Sequence, residues 1–382
     1  VPALPAYARR TATALGAAAV NERPVPTRAL LLFPGGVALL AGLDAALLLL
    51  GVPAPVDSDR LPEVHGVVLV LGFVGTVVAL ERAVALGRRW GYSAPICLGA
   101  GGLLLVAPAP RGLADGLLVA GSALLVAVYV PLWRRTEDVA VVVQAAGAVL
   151  ATGGALLWLG GVSVPDLLPW FVGFLVLTIA GERLELARVA MVGTGAEQLL
   201  VASAGAVVAG VLATLLWPSA GYPLLGAALL ALVAWLARFD VARRTVRAAG
   251  QARFTAVCLL AGYGWLAAAG LTWLLVGPVR TGGGYDAVVH AVMLGFVLSM
   301  ILAHAPIVLP AVVRRPLPYR PAMYGPAVLL HGSLLLRLAV GDVRGVGWAV
   351  TVGGVLNIVA VLAFLAVAAY SALRPARTEA PA

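Results

Sequence analysis

Four histidines, His65, His290, His304 and His331, are the only imidazoles among 382 residues, and all four fall inside long apolar stretches. An ionisable side chain in hydrocarbon is expensive and is by default a candidate functional group. Neutral imidazole is a good ligand for haem iron and for copper, iron or zinc ions. At 1.5 Å of rise per residue, His65 and His290 both lie within about 10 Å of the start of their stretches, at one depth. His304 follows His290 by fourteen residues, on nearly the same helix face and about 21 Å deeper. His331 sits about ten residues into a stretch that runs the other way, which matches the depth of His304. Two levels of chemistry are therefore expected. His65 and His290 would clamp a flat haem from both sides near the outer surface, and His304 with His331 would form a second haem or metal site nearer the inside.

The dipeptide Gly-Phe occurs at Gly72-Phe73, Gly173-Phe174 and Gly295-Phe296, and nine residues after each glycine stands Glu81, Glu182 or His304. The offsets, 101 (173 − 72) and 122 (295 − 173) residues, each fit about four membrane crossings. Three parallel copies imply a pseudo-threefold axis along the membrane normal, which makes spans two, six and ten equivalent. Glu81 and Glu182 would then lie near His304, and a His/carboxylate set of that kind suits non-haem iron, zinc or copper. Each glutamate is followed by an arginine, so an ion pair closing the helix end is the other open reading. In repeat coordinates His65 corresponds to position 288, two residues from His290. That displacement is about 200° around a helix, which lets both imidazoles face one gap.

These residues must be held by membrane helices. Mean hydropathy is +1.02, with 62% hydrophobic and 11% charged residues, a balance outside the range of soluble domains. The expected fold is all-α and polytopic, with 12 transmembrane helices in three four-helix repeats, at 29-51, 63-86, 91-108, 113-133, 139-162, 165-186, 197-217, 222-238, 252-276, 285-312, 321-340 and 345-373. The chain would be a single transmembrane domain with repeats near 29-133, 139-238 and 252-373, and with cytoplasmic tails at 1-28 and 374-382. The net charge of +9 comes from arginine alone. Arg9, Arg10, Arg23, Arg28, Arg88, Arg89, Arg134, Arg135, Arg183, Arg188, Arg238, Arg243, Arg244, Arg247, Arg314, Arg315, Arg320, Arg374 and Arg377 gather at alternate loops and the termini. The positive-inside rule then puts both termini in the cytoplasm of a bacterial-type inner membrane. Short arginine pairs beside spans are topogenic, and exclude nucleic acid as the partner they serve. Cys97 and Cys258 fall inside spans and read as small core residues.

Twelve spans in fours, with a histidine in span two and another in span ten, resemble the haem-copper oxidase and nitric oxide reductase superfamily. The order of motifs is most similar to the NnrS family: Glu63-Val64-His65-Gly66 with Gly72-Phe73, then His290 through Phe296 followed by His304. The resemblance implies that His65 and His290 ligate a low-spin haem, with a b-type guessed, and that Arg337 and Arg344 lie near its propionates. It also implies a small gas such as nitric oxide, or a redox partner. The superfamily's copper-binding histidines of spans six and seven are missing, so oxygen reduction coupled to proton pumping is not expected. Two other classes remain: a secondary transporter without cofactor, and a non-catalytic haem subunit of a respiratory complex.

Overall fold

The computed structural model describes residues 27–187 and 194–374. Arg9, Arg10, Arg23, Arg188 and Arg377, with nearly all of both expected tails, lie outside the described residues. Within them all regular structure is helical. The chain folds into α1 (Arg28–Leu49), α2 (Arg60–Leu86), α3 (Ser93–Val106), α4 (Arg111–Thr136), α5 (Val139–Leu159), α6 (Val164–Leu186), α7 (Gly195–Leu216), α8 (Pro218–Phe239), α9 (Gly250–Val276), α10 (Gly282–Pro310), α11 (Pro321–Asp342) and α12 (Gly347–Leu373). Consecutive helices alternate in direction across short connections. We call the surface where α2, α6 and α10 begin the near face, and the surface where they end the far face.

Eleven of these helices are long and apolar enough to cross a membrane. The exception is α3, expected as a span over 91-108. It has 14 residues, so it is about 21 Å long against a hydrocarbon core of about 30 Å. Its limits are local: a 3-10 turn over Arg89–Tyr92 precedes it, and Pro108 and Pro110 follow it and cannot extend a helix.

Burial ranks the helices. The apolar stretch of α6 is 83% buried and those of α2 and α10 are each 67% buried, against 28% for α1 and 33% for α7. The helices carrying the Gly-Phe phrase are thus the innermost three. Each of its glycines lies against the preceding or following helix: Gly72 on Gly102 of α3, Gly173 on Leu150 of α5 and Val211 of α7, and Gly295 on Trp265 of α9. A hydroxyl follows the phrase each time and bonds back one turn: Thr76 to the Gly72 carbonyl, Thr178 to that of Phe174 and Ser299 to that of Gly295. Without a hydrophobic drive between helices in lipid, such small-residue contacts and interhelical packing supply the association. Cys258 is buried and Cys97 half-buried, both as free thiols.

One close approach of backbones fixes a prediction. A Cβ on Gly221 of α8 would lie 2.2 Å from the Thr214 nitrogen and 2.3 Å from the Ala213 carbonyl carbon of α7. Backbone cannot yield as a side-chain tip can, so Gly221→Ala is expected to cost about 1–3 kcal/mol. Gly205→Ala meets nothing within 4 Å and is the neutral control. Thermal unfolding in detergent reads both.

Three central or bordering helices are not regular throughout. π-helical turns occupy Val68–Gly75 in α2, Ala291–Leu298 in α10 and Leu336–Asp342 in α11. Such turns carry an extra residue and concentrate at functional sites. Here the first begins three residues after His65, the second immediately after His290, and the third holds Arg337.

Candidate functional site

His65 and His290 line one cavity of about 470 Å³, enclosed by α1, α2, α6, α10, α11 and α12 and set toward the near face. Its size is in the range of small-molecule and cofactor pockets. The walls are mostly Leu, Val, Phe and Ile. The polar groups gather at the near end, where Glu63, Asp286 and Arg337 join the two histidines.

The hydrogen bonds decide which nitrogen each imidazole offers. His65 Nδ1 lies 2.9 Å from the Gly42 carbonyl oxygen of α1. A carbonyl only accepts, so Nδ1 carries the proton and Nε2 keeps its lone pair. His290 Nδ1 donates in the same way to the Asp286 carbonyl at 2.9 Å, and the Asp286 carboxylate stands 3.1 Å from the same nitrogen. Among the described residues neither Nε2 has a hydrogen-bond partner. An imidazole tied at Nδ1 and free at Nε2 is the arrangement that orients a metal-ligating histidine and raises its basicity.

Asp286 also holds Arg337 in a two-point pair, with Oδ2 accepting from Nε at 2.8 Å and Oδ1 from Nη2 at 2.7 Å. This buried guanidinium is thereby fixed at the cavity wall, the geometry in which Arg recognises carboxylates best. Arg344 is elsewhere. It is exposed in the turn between α11 and α12 and does not line the cavity. Asn357 of α12 lines the cavity as well. Its Nδ2 donates to Ser333 Oγ at 2.6 Å and to the Leu330 carbonyl at 3.2 Å, both on α11, which fixes the amide with Oδ1 turned away, buried and unpaired.

The expected inner metal set is not assembled. Among the described residues no three His, Cys, Asp or Glu side chains are grouped so as to hold a metal ion. His304 Nδ1 donates to the Met300 carbonyl at 2.7 Å, and its Nε2 faces Arg183 Nη1 at 3.0 Å. His331 Nδ1 accepts from Trp265 Nε1 at 3.0 Å, and its Nε2 is 3.4 Å from Ser299 Oγ. Both nitrogens of both rings are engaged within the protein. Nor do these rings share a level, since Ser299, which His331 meets, precedes His304 by five residues, about 7.5 Å along α10. Glu81 takes the ion-pair reading, with Oε1 2.5 Å from Nη2 of its neighbour Arg82, whereas Glu182 Oε1 lies 4.0 Å from that same Nη2 and its own neighbour Arg183 pairs with Asp240 instead.

The partners of His304 belong to a buried network that the sequence reading did not include. Arg183 forms a two-point pair with Asp240, Nε to Oδ2 at 2.6 Å and Nη2 to Oδ1 at 3.0 Å. Tyr263 of α9 donates to Asp240 Oδ2 at 2.7 Å, and the Ala242 N–H to Oδ1 at 2.7 Å. Asp240 follows α8 directly and so ties the far end of α8 to Arg183 of α6, which meets His304 of α10, and to Tyr263 midway along α9. A polar residue buried beside apolar spans was the available signal.

A family model described as a domain of unknown function, DUF8744, matches residues 28–373. The chain belongs to the DUF8744 family. The match takes in all twelve helices, so the cavity and both far-face networks of this DUF8744 chain lie within the family's unit. No curated protein and no solved structure matches it.

Proposed function

We propose that this chain is a haem-binding integral membrane protein of electron transfer or of small-gas handling, nitric oxide included, with the haem in the near-face cavity. The reading rests on one observation: two imidazoles from different helices line a single apolar cavity, each tied at Nδ1 and free at Nε2. The donor set fits the group. His65 and His290 would hold the iron through their Nε2 atoms, and Arg337, pinned by Asp286, would meet a propionate. A haem held there would supply one-electron transfer. What the chain itself contributes is orientation of the two rings, exclusion of water by the apolar walls, and a fixed positive charge at the near end.

The wider reading is twelve crossings in three copies around α2, α6 and α10, as in the haem-copper oxidase and NnrS-like proteins. Its supports are the innermost position of those helices and the recurrent glycine and hydroxyl contacts. The near face would be the outer one, because Arg88, Arg89, Arg134, Arg135, Arg243, Arg244, Arg314 and Arg315 gather at the far face.

The test is the visible spectrum of the purified full-length protein, with pyridine haemochrome analysis of any extracted cofactor. A Soret band with the signature of two imidazole ligands is expected. A colourless protein that takes up no added haem overturns the reading and leaves a cofactor-free transporter. A second expectation concerns Asp286, which orients His290 and Arg337. Asp286→Ala should retain haem with affinity lowered about 10- to 100-fold, the usual scale for losing a partner behind a ligand; haem titration measures it.

A further inference from the structure

The far ends of α2, α4, α5 and α6 enclose a second polar centre with an imbalance of charge. Arg82 Nη2 contacts Glu81 Oε1 at 2.5 Å and Glu182 Oε1 at 4.0 Å, while Nη1 reaches Glu185 Oε2 at 3.4 Å and Gln144 Oε1 at 3.1 Å. Gln144 Nε2 donates in turn to Glu185 Oε2 at 3.3 Å. Three carboxyl groups thus surround one guanidinium. The next cation, Arg183, is committed to Asp240 and His304.

The other charged groups nearby do not restore the balance. From α4 come Tyr129 and, at the surface, Arg135, which bonds the Ala85 carbonyl. Arg88 and Arg89 after α2 are exposed. Asp138 at the start of α5 caps its own helix through the Ala140 N–H.

Among the described residues two buried donors in this centre have no acceptor. Tyr129 is 1% exposed, its hydroxyl is within electrostatic reach of Arg82, Glu182, Glu81 and Glu185, and no described residue hydrogen-bonds to it. Arg82, 7% exposed, leaves its Nε–H unpaired. Orphaned buried donors cost about 1–3 kcal/mol each unless something accepts from them. Water between them would do so and would donate onward to a carboxylate, since buried waters settle where two to four polar partners converge. The carboxyl side chains also form a graded series toward solvent, Glu182 at 18% exposure, Glu81 at 26% and Glu185 at 48%.

We propose that Glu81, Glu182 and Glu185, with Arg82, Tyr129 and bound water, form a proton-binding site that exchanges with the aqueous phase at the far face. Three carboxylates that close cannot all ionise opposite one guanidinium in a low-dielectric setting, because like charges sharing a site repel strongly. One carboxyl therefore holds a proton at neutral pH, with Glu182 as the inner station and Glu185 as the exposed one. The site is independent of the haem, and stands or fails whether or not the near-face cavity takes one.

Infrared spectroscopy of the full chain in liposomes tests this directly. The wild type should show the carbonyl stretch of a protonated carboxyl at neutral pH, shifted in D2O. The band should fade as pH rises, and be lost in Glu182→Gln. If that variant does not fold, Tyr129→Phe carries the test: it removes only the hydroxyl, and should displace the band. Absence of a protonated-carboxyl band in the wild type overturns the proposal. So does a band unchanged in Tyr129→Phe, or one kept in full by a monodisperse Glu81→Gln, Glu182→Gln, Glu185→Gln triple variant.

Discussion

Replacing His65 or His290 by alanine is expected to reduce haem in the purified protein from stoichiometric to trace. Loss of the hydrogen-bonding partner behind a ligand costs about 10- to 100-fold in metal affinity, so loss of the ligand itself should cost at least about a hundredfold. Neither change should unfold the bundle. Both rings are only partly buried at the wall of an existing cavity, and each is tied through Nδ1 alone, to Gly42 for His65 and to Asp286 for His290. Far-ultraviolet circular dichroism should therefore match wild type while the Soret band disappears. His331→Ala is the control, because that ring bonds Trp265 and Ser299 away from the cavity, and it should leave the spectrum intact. A Soret band retained in both His65→Ala and His290→Ala would show that the iron, if any, is held elsewhere.

The second large effect belongs to the far face. Asp240→Ala is expected to destabilise the protein by about 3–5 kcal/mol, the scale for stranding one half of a buried ion pair. Side-chain exposure is 4% for Arg183 and 1% for Asp240, so water cannot replace the lost partner. Tyr263 and the Ala242 N–H lose their acceptor at the same time. The double variant Arg183→Met with Asp240→Leu should recover much of the loss, since an apolar pair of similar volume leaves no charge behind. Unfolding in mixed micelles compares the three. Equal stability of Asp240→Ala and wild type would mean that the pair is solvated in the membrane.

Much of this architecture was legible from composition. Continuous apolar runs place eleven helices to within a few residues, because in hydrocarbon only a fully hydrogen-bonded helix satisfies the backbone. The run at 91-108 forms a helix of only 14 residues because hydropathy sums over residues without seeing that Pro108 and Pro110 stop the helix. That His65 and His290 line one cavity was legible from their matched depth near the starts of the second and tenth apolar runs. The acceptors that hold them were not, because Gly42 contributes only a carbonyl and any residue could. Asp286 was legible in principle, four residues before His290 and so one turn away on the same side of a helix.

The inner pairing of His304 with His331 was misjudged for a physical reason. Depth was counted as uniform rise from approximate helix ends, whereas α10 contains π-helical turns and α11 opens with a 3-10 turn at Pro321–Met323. The same irregularity separates Arg337 from Arg344. Seven residues would return to one face of a continuous α-helix, but α11 ends in a π-helical turn at Asp342 and Arg344 lies beyond it. Glu81 and Glu182 had two readings in sequence; Glu81 pairs with the arginine that follows it, whereas Asp240 draws Arg183 away from Glu182.

The wide turns at Val68–Gly75 have one more consequence. They lie between His65 and Arg82 on the same helix and hold one residue more than uniform winding would. Deleting a single residue there would let regular winding close up with His65 and Arg82 both kept near their present facing, whereas the same deletion elsewhere between them would turn Arg82 by about 100° from Gln144 and Glu185. A lineage can therefore shed one amino acid within Val68–Gly75 without rebuilding either end of the bundle, and length differences in α2 should collect in this stretch.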